Sequence, residues 1–315
     1  MNDRNLLPPL TLSIAAVERD TGLSKDTLRV WERRYGFPAP ARDSSGERCY
    51  AQDQIEKLRL VKRLMDAGHR PGRIVGLSFD ELQRLADAIS SNPLQPAGSV
   101  PTVSVAVEVA GHMALIRGHD LPGLRAGLYR ALSRLGVARF VLEVVSPLNA
   151  AVGDAWIRGQ MQVFEEHMYT EAVQGVLRQA IAAIPGPAGA SRPRVVLTTF
   201  PGEPHGLGLL MAEALLALEG CICISLGAQT PLWDITLAAA AHRSDIVALS
   251  FTGCMNPNQV VDGLTELRRK LPRPVRLWAG GSAPVLNRRR VEGVDPMGSL
   301  QALPEAVRLW RVSAA

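Results

Sequence analysis

The sequence predicts a chain of several domains, α in its first two parts and α/β in its last: a winged helix-turn-helix head, a four-helix bundle and a doubly wound parallel sheet. Three observations carry this. Residues 24–73 hold twelve Lys and Arg against seven Asp and Glu, an excess equal to the +5 net charge of the whole 315-residue chain. The net basic excess is thus concentrated in one segment, which points to an acidic partner there. From Val103 to Ala183 apolar residues recur at three- and four-residue intervals, the period of a helix. Beyond residue 193 short apolar runs bounded by Gly or Pro alternate with helical patterns, as in sheets whose strands are buried on both faces.

A hydrophobic content of 47% is enough for more than one core. Runs such as Ile246–Phe251 are far shorter than the ~20 apolar residues that cross a bilayer, and the N-terminus carries Asp3 and Arg4 among prolines rather than a signal sequence. A cytoplasmic chain without a membrane partner is expected. Cys49, Cys221, Cys223 and Cys254 are too few and too scattered for a disulfide framework and lack zinc-finger spacing. The polar stretch Ser90–Gly98 and the run Pro185–Gly189 read as linkers, which gives three parts at 1–90, 100–184 and 193–315.

In the head, Ser13 can cap a first helix with Ile14 and Val17 on its apolar face, Gly22 supplies a turn, and Ser24 caps a second helix from Lys25 to about Arg34. Pro38, Pro40, Gly46 and Tyr50 mark a short hairpin carrying Arg42 and Arg48, followed by a third helix from Gln52 to about Ala67. A helix-turn-helix followed by a basic wing places the second helix for DNA. Lys25, Thr27 and Arg29, near its start, are the candidates for base edges, and Arg42, Arg48 and Tyr50 on the wing those for phosphate. Trp31 reads as a core residue. No long pairing helix is evident after Ala67, so oligomer contacts are expected from the later parts.

In the middle part, Val103–Ile116, Leu121–Leu135, Ala138–Trp156 and Met161–Ala183 form four helical segments punctuated by Gly118, Gly136 and Gly159. Short connections favour an antiparallel bundle. In the last part the expected strands are Val195–Phe200, Cys221–Leu226, Ile246–Phe251 and Val275–Ala279, with helices such as Leu207–Leu218 and Gln259–Lys270 between them. In a flavodoxin-like order the first and third strand ends flank one crevice, and ligands bind such sheets beyond the carboxyl ends of the strands. His205 falls there with Glu203 two residues earlier. A carboxylate at that spacing can hold one ring nitrogen and fix the tautomer, which suits the other nitrogen to a metal carried by an extended ligand.

Glu203-x-His205-x-x-Gly208, then Ser250-x-Thr252 after 41 residues, then Gly280-Gly281 after a further 27, resembles the base-off, His-on cobalamin fingerprint of methionine synthase and its relatives. That resemblance implies His205 as the lower axial cobalt ligand, Ser250 and Thr252 beside the slot for the displaced tail, and close backbone approach at Gly280-Gly281. Val152–Trp156 followed by Gly159 and Glu165-Glu166-His167 resembles the helical cap of the CarH/LitR photoreceptors. It implies Trp156 over the upper face of cobalamin, with Glu166 and His167 near the corrin or its adenosyl group. Thr27–Gly36, with Pro40, Arg42, Gly46, Arg48 and Tyr50, resembles the DNA-binding head of MerR-type regulators over about 70 residues.

One position departs from the pattern. Light-sensing members carry a histidine after the cap tryptophan that takes the upper cobalt site once light has expelled the adenosyl group; here it is Ile157, which cannot ligate. His112, His119 and His167 are the nearby histidines, none at the matching position. The expected protein is a non-enzymatic regulator of a palindromic double-stranded DNA operator, a homodimer or homotetramer controlled by adenosylcobalamin or methylcobalamin, with a response to light that differs from that of the histidine-bearing photoreceptors. Two alternatives stand beside it: a regulator with a vestigial cobalamin fold controlled by a separate blue-light photoreceptor protein, and a cobalamin-dependent methyltransferase module. The latter has no segment left for a substrate-activating domain.

Overall fold

In the computed structural model, residues 11–43, 45–66, 68–90, 103–186 and 192–314 are described. The proposed linkers therefore lie, beyond Ser90 and Gly186, outside the described residues, as does Ala67. Contacts divide the chain into two units, one formed by the N-terminal residues to Asn92 with Trp156–Gln160, the other by the remainder.

The head opens with strand β1 (Leu12–Ser13) and helix α1 (Ile14–Thr21), continues with α2 (Lys25–Tyr35), β2 (Ala41–Arg42), β3 (Arg48–Tyr50) and α3 (Gln52–Asp66), and closes with α4 (Pro71–Ile74) and α5 (Phe79–Ser90). Ser13 and Ser24 cap α1 and α2, their hydroxyls accepting from the amides of Ala16 and Thr27 at 3.3 and 3.1 Å. Such caps satisfy donors that the first turn leaves free. Gly22, at φ +70°, lets the chain turn sharply between the two helices. The wing is a three-stranded antiparallel sheet in the order β1-β3-β2. Ile55, Leu58, Val61 and Leu64, one stripe of α3, pack with Val17, Leu28, Trp31, Tyr50 and Leu82 in the head's core. Helix α5 is an element the sequence reading did not anticipate. Its start is a capping box in which the Ser78 hydroxyl accepts from the amide of Glu81 and the Glu81 carboxylate from the amide of Ser78.

The second unit begins with α6 (Val103–Arg117) and α7 (Leu121–Arg139), passes through a π-helical turn at Phe140–Val145 into α8 (Ser146–Ile157), and continues with α9 (Val163–Ala182). Gly136, at φ +71°, breaks α7 near its end. The helical run Leu121–Ile157 is long and apolar enough to span a membrane by length and composition. Its Leu124, Leu128, Phe140, Val141, Val144, Val145, Leu148 and Val152 instead lie in the apolar core.

The remaining elements alternate: β4 (Arg194–Thr198), α10 (Leu207–Leu218), β5 (Ile222–Gly227), α11 (Leu232–Ala241), β6 (Ile246–Phe251), α12 (Pro257–Lys270), β7 (Arg276–Gly281), α13 (Val285–Arg288), β8 (Val294–Met297) and α14 (Leu303–Ala314). Strand order is β5-β4-β6-β7-β8, all parallel. This is the doubly wound order, whose direction reverses between β4 and β6. Val195 and Leu197 face one core, shared with α10 and the helical bundle, and Val196 faces the other, beneath Ile235 of α11 and Leu264 of α12. Bundle and sheet thus share one hydrophobic core, although the sequence divides between them. Strand β8, also unanticipated, is a short edge strand containing Pro296. An edge tolerates a residue that cannot donate to the ladder, and the interrupted apolar pattern hides the strand from a sequence reading.

Candidate metal and cofactor site

Parallel pairing of β4 with β6 brings Thr198 level with Leu249, so the loop after β4 and the turn after β6 emerge side by side. Glu203 lies on the first and Thr252 on the second. The Glu203 side chain is fully buried. Its Oε2 accepts from the amide and hydroxyl of Thr252 at 2.7 and 2.8 Å, and its Oε1 from Nδ1 and the amide of His205 at 2.6 and 3.2 Å. Burial alone would push the carboxyl up, but the bonds from His205 and Thr252 outweigh it and hold the group below the usual range. Hydrogen bonds to the charged form are what make a buried carboxylate tolerable.

An ionised carboxylate only accepts, so the proton of this pair sits on Nδ1 of His205 and the lone pair, when the ring is neutral, on Nε2. The His205 side chain is 56% exposed, which leaves that edge open to a ligand. Cys254 and Glu203 beside the ring push His205 up to about 10, and bonding of a metal through Nε2 would require that nitrogen free of its proton. A histidine held by a carboxylate and open at its other nitrogen is the donor that a cobalt with a vacant lower face requires.

The glycines of the pattern have roles within the protein. A side chain on Gly208 would meet the Ser250 hydroxyl at 2.8 Å, and one on Gly280 the Met297 carbonyl at 3.1 Å. Gly281, at φ +106°, lies against the backbone of Phe251, where no Cβ fits. Ser250 is buried against Gly208. Thr252, expected beside a slot for the cofactor tail, also anchors Glu203. Cys254, not singled out from the sequence, is drawn to the ring: a ligating atom from each of Glu203, His205 and Cys254 lies within 4.8 Å of the others.

Glu166 and His167 lie on α9, where the Glu166 carboxylate accepts from Thr170 at 2.6 Å and stands 3.6 Å from His167 Nε2. His119 Nε2 bonds to Glu165 at 3.1 Å, and His112 is buried with Nδ1 on the Glu108 carbonyl. Trp156 belongs with the head unit. There its ring lies under the Arg63 guanidinium, 4.4 Å from the centroid, and Ile157 packs against the head's apolar core. Arg63 is itself buried, which pushes it down to about 10.

On the head, Arg29 is exposed beside Asp26 at 3.2 Å, Lys25 is half-buried 3.5 Å from Glu18, and the Thr27 hydroxyl is bonded to that of Ser24 at 2.8 Å. Arg42 is exposed on the wing, donating to the Gly46 carbonyl at 2.7 Å, and Arg48 is paired with Glu32 at 2.9 Å. Tyr50 requires a correction. It was expected at phosphate, but it is fully buried and its hydroxyl has no partner. Pairing of Leu12 in β1 with Tyr50 adds a third strand to the wing and covers it.

Residues 12–87 match the family described as MerR HTH family regulatory protein, and residues 114–181 match the B12 binding domain. The chain is 31% identical to the HTH-type transcriptional repressor CarH of Myxococcus xanthus over 266 residues, covering 83% of this chain and 86% of that protein. It is 29% identical to the HTH-type transcriptional repressor CarA of the same organism over 307 residues, 96% of each. Among solved structures, the monomethylamine corrinoid protein of Methanosarcina barkeri matches with a TM-score of 0.51 and 16% identity, over 64% of this chain and 96% of that one. This last likeness is one of fold.

Proposed function

The chain belongs to the family of MerR-type transcriptional regulators that carry a B12 binding domain, CarH and CarA among them, and from that premise we propose that cobalamin controls its grip on DNA. In this reading the protein is a cytoplasmic regulator rather than an enzyme. Its head binds a palindromic operator, and bound adenosylcobalamin or methylcobalamin sets whether the chain assembles as a homodimer or homotetramer. Paired heads multiply the phosphate contacts that one small head can make.

The observation that carries the reading is the Glu203–His205 pair, with Nδ1 held at 2.6 Å and the ring otherwise open. His205 would hold cobalt through Nε2, Glu203 would fix the tautomer, and Thr252 would keep Glu203 in place. Ser250 would lie toward the cofactor's tail, and Glu166 and His167, on α9 of the same unit, toward its upper face. Bound cobalamin would supply a cobalt centre with a light-labile upper ligand, chemistry that belongs to the cofactor. Ile157 offers no ligand for the upper site, so illumination is expected to change assembly weakly or reversibly.

The test is an absorbance spectrum of the protein loaded with adenosylcobalamin, with sizing and mobility-shift runs before and after green light. The expected wild-type spectrum is base-off and His-on, and His205→Ala abolishes it. A wild-type spectrum equal to that of free cobalamin overturns the proposal. Ile157, which packs against the head's core and cannot ligate cobalt, favours a second reading in which a separate photoreceptor protein delivers the signal. Under that reading His205→Ala leaves the response of DNA binding to the partner intact.

A further inference from the structure

Beyond its part in holding cobalamin, we propose that the cluster of Glu203, His205 and Cys254 is a site for a thiophilic divalent cation of the zinc type, and that this ion and cobalamin exclude one another. The exclusion rests on the cobalamin reading above, whereas the ion site stands on the cluster's geometry alone.

Zinc takes Cys sulfur at about 2.3 Å and His nitrogen or carboxylate oxygen at about 2.0–2.2 Å, so tetrahedral ligands stand roughly 3.3–3.7 Å apart. The three side chains already place a sulfur, a ring nitrogen and a carboxylate oxygen within 4.8 Å of one another. The sulfur has to close by up to about 1 Å, and the His205–Glu203 pair, at 2.6 Å, has to open by about 0.7–1 Å as the ion enters. The Cys254 thiol lies beside the His205 ring and makes a long contact, 3.7 Å, to the Gly202 carbonyl, and it sits in the turn between β6 and α12 rather than in a regular element.

Glu203 does not have to leave its anchor, because Oε2 stays on the Thr252 amide while Oε1 faces His205. Entry of the ion between His205 Nδ1 and Glu203 Oε1 replaces the proton shared at 2.6 Å. That proton and the one from the Cys254 thiol pass to solvent, and water completes the tetrahedron. The other thiols are poorer sites. Cys221 is buried, and burial pushes Cys221 up to about 11 and Cys223 up to about 12. Once Nδ1 carries a cation, the ring loses the carboxylate-backed proton that makes Nε2 a strong donor. An ion at Nδ1 therefore weakens cobalt binding at Nε2.

The experiment titrates the reduced, cofactor-free full-length protein with Co2+ alone as an optical probe and then competes with Zn2+. One ion per chain is expected, with a thiolate-to-cobalt charge-transfer band in the near ultraviolet. In Cys254→Ser the band is lost and Zn2+ binds at least about ten-fold more weakly, in line with the loss of a zinc ligand. A band that survives in Cys254→Ser, or the absence of saturable binding by the wild type, overturns the site. In the second arm hydroxocobalamin is added with and without Zn2+. Zn2+ is expected to suppress the His-on spectrum of the wild type but not that of Cys254→Ser, and simultaneous binding of both by the wild type overturns the exclusion. Should the wild type fail to bind hydroxocobalamin at all, the cobalamin reading falls while the Co2+ arm still decides the ion site.

Discussion

In the head, the basic side chains proposed to meet DNA are held by single carboxylates at or near the surface: Lys25 by Glu18, Arg29 by Asp26 and Arg48 by Glu32. At the end of the sheet one buried carboxylate, Glu203, instead gathers Nδ1, two backbone amides and a hydroxyl. Exposed pairs contribute about 0–1 kcal/mol each, so the head can trade each carboxylate for a phosphate at little cost. A buried carboxylate stripped of its partners is far more costly, about 3–5 kcal/mol. The head is therefore built for exchange, whereas the sheet site holds its donor in one orientation before any ligand arrives.

The largest effect that sharpens this contrast is expected at Glu203. Glu203→Ala frees the His205 ring and leaves the Thr252 amide without its acceptor, and cobalamin affinity should fall about 10–100-fold, as for other groups that orient a metal ligand. Spectral titration measures it. An affinity within two-fold of wild type would mean that the ring is fixed by something other than this carboxylate.

A smaller effect is expected on the wing. Arg42→Ala should weaken binding to every DNA sequence alike and lower the slope of log affinity against log salt by about one unit. Arg48→Ala should do less, because Arg48 must first leave Glu32 at 2.9 Å. Glu32→Gln should accordingly raise DNA affinity by releasing Arg48. Mobility-shift titrations at several salt concentrations test all three, and equal losses for Arg42→Ala and Arg48→Ala would show that the Glu32 pair does not restrain the wing.

Much of this architecture was legible because local signals and global packing agree. The Ser13 and Ser24 caps, the β6 strand Ile246–Phe251 and the α10 helix Leu207–Leu218 stand where the pattern puts them. The Glu203, His205 and Thr252 grouping followed from strand ends in a doubly wound order, since topology alone makes those ends neighbours. What was missed depends on contacts that one-dimensional spacing does not encode. Cys254 meets His205 only because the loop after β4 folds over the turn after β6. The shared core of bundle and sheet arises because α10 is buried on more than one side, and an apolar helix gives no sign of which neighbours it will have. Helix α5 was unforeseen although both its capping box, Ser78 to Glu81, and its apolar stripe, Leu82, Leu85 and Ala86, are present in the sequence.

Tyr50 tests the wing from the opposite side and carries the smallest expected effect. Beside Arg48 in sequence it reads as a phosphate contact, yet strand β1 covers it and the side chain is fully buried. Burial pushes its phenol up, and the hydroxyl has no hydrogen-bond partner. An unsatisfied buried hydroxyl costs free energy that its removal returns. Tyr50→Phe keeps the ring that packs with Val17, Leu28 and Trp31 and should raise the head's stability by about 1 kcal/mol, seen as a higher urea midpoint with an unchanged slope. DNA affinity and its salt dependence should stay at wild-type values. A loss of affinity with a salt slope lower by about one unit would mean that Tyr50 reaches the phosphate backbone after all, and that β1 leaves the wing when the head binds DNA.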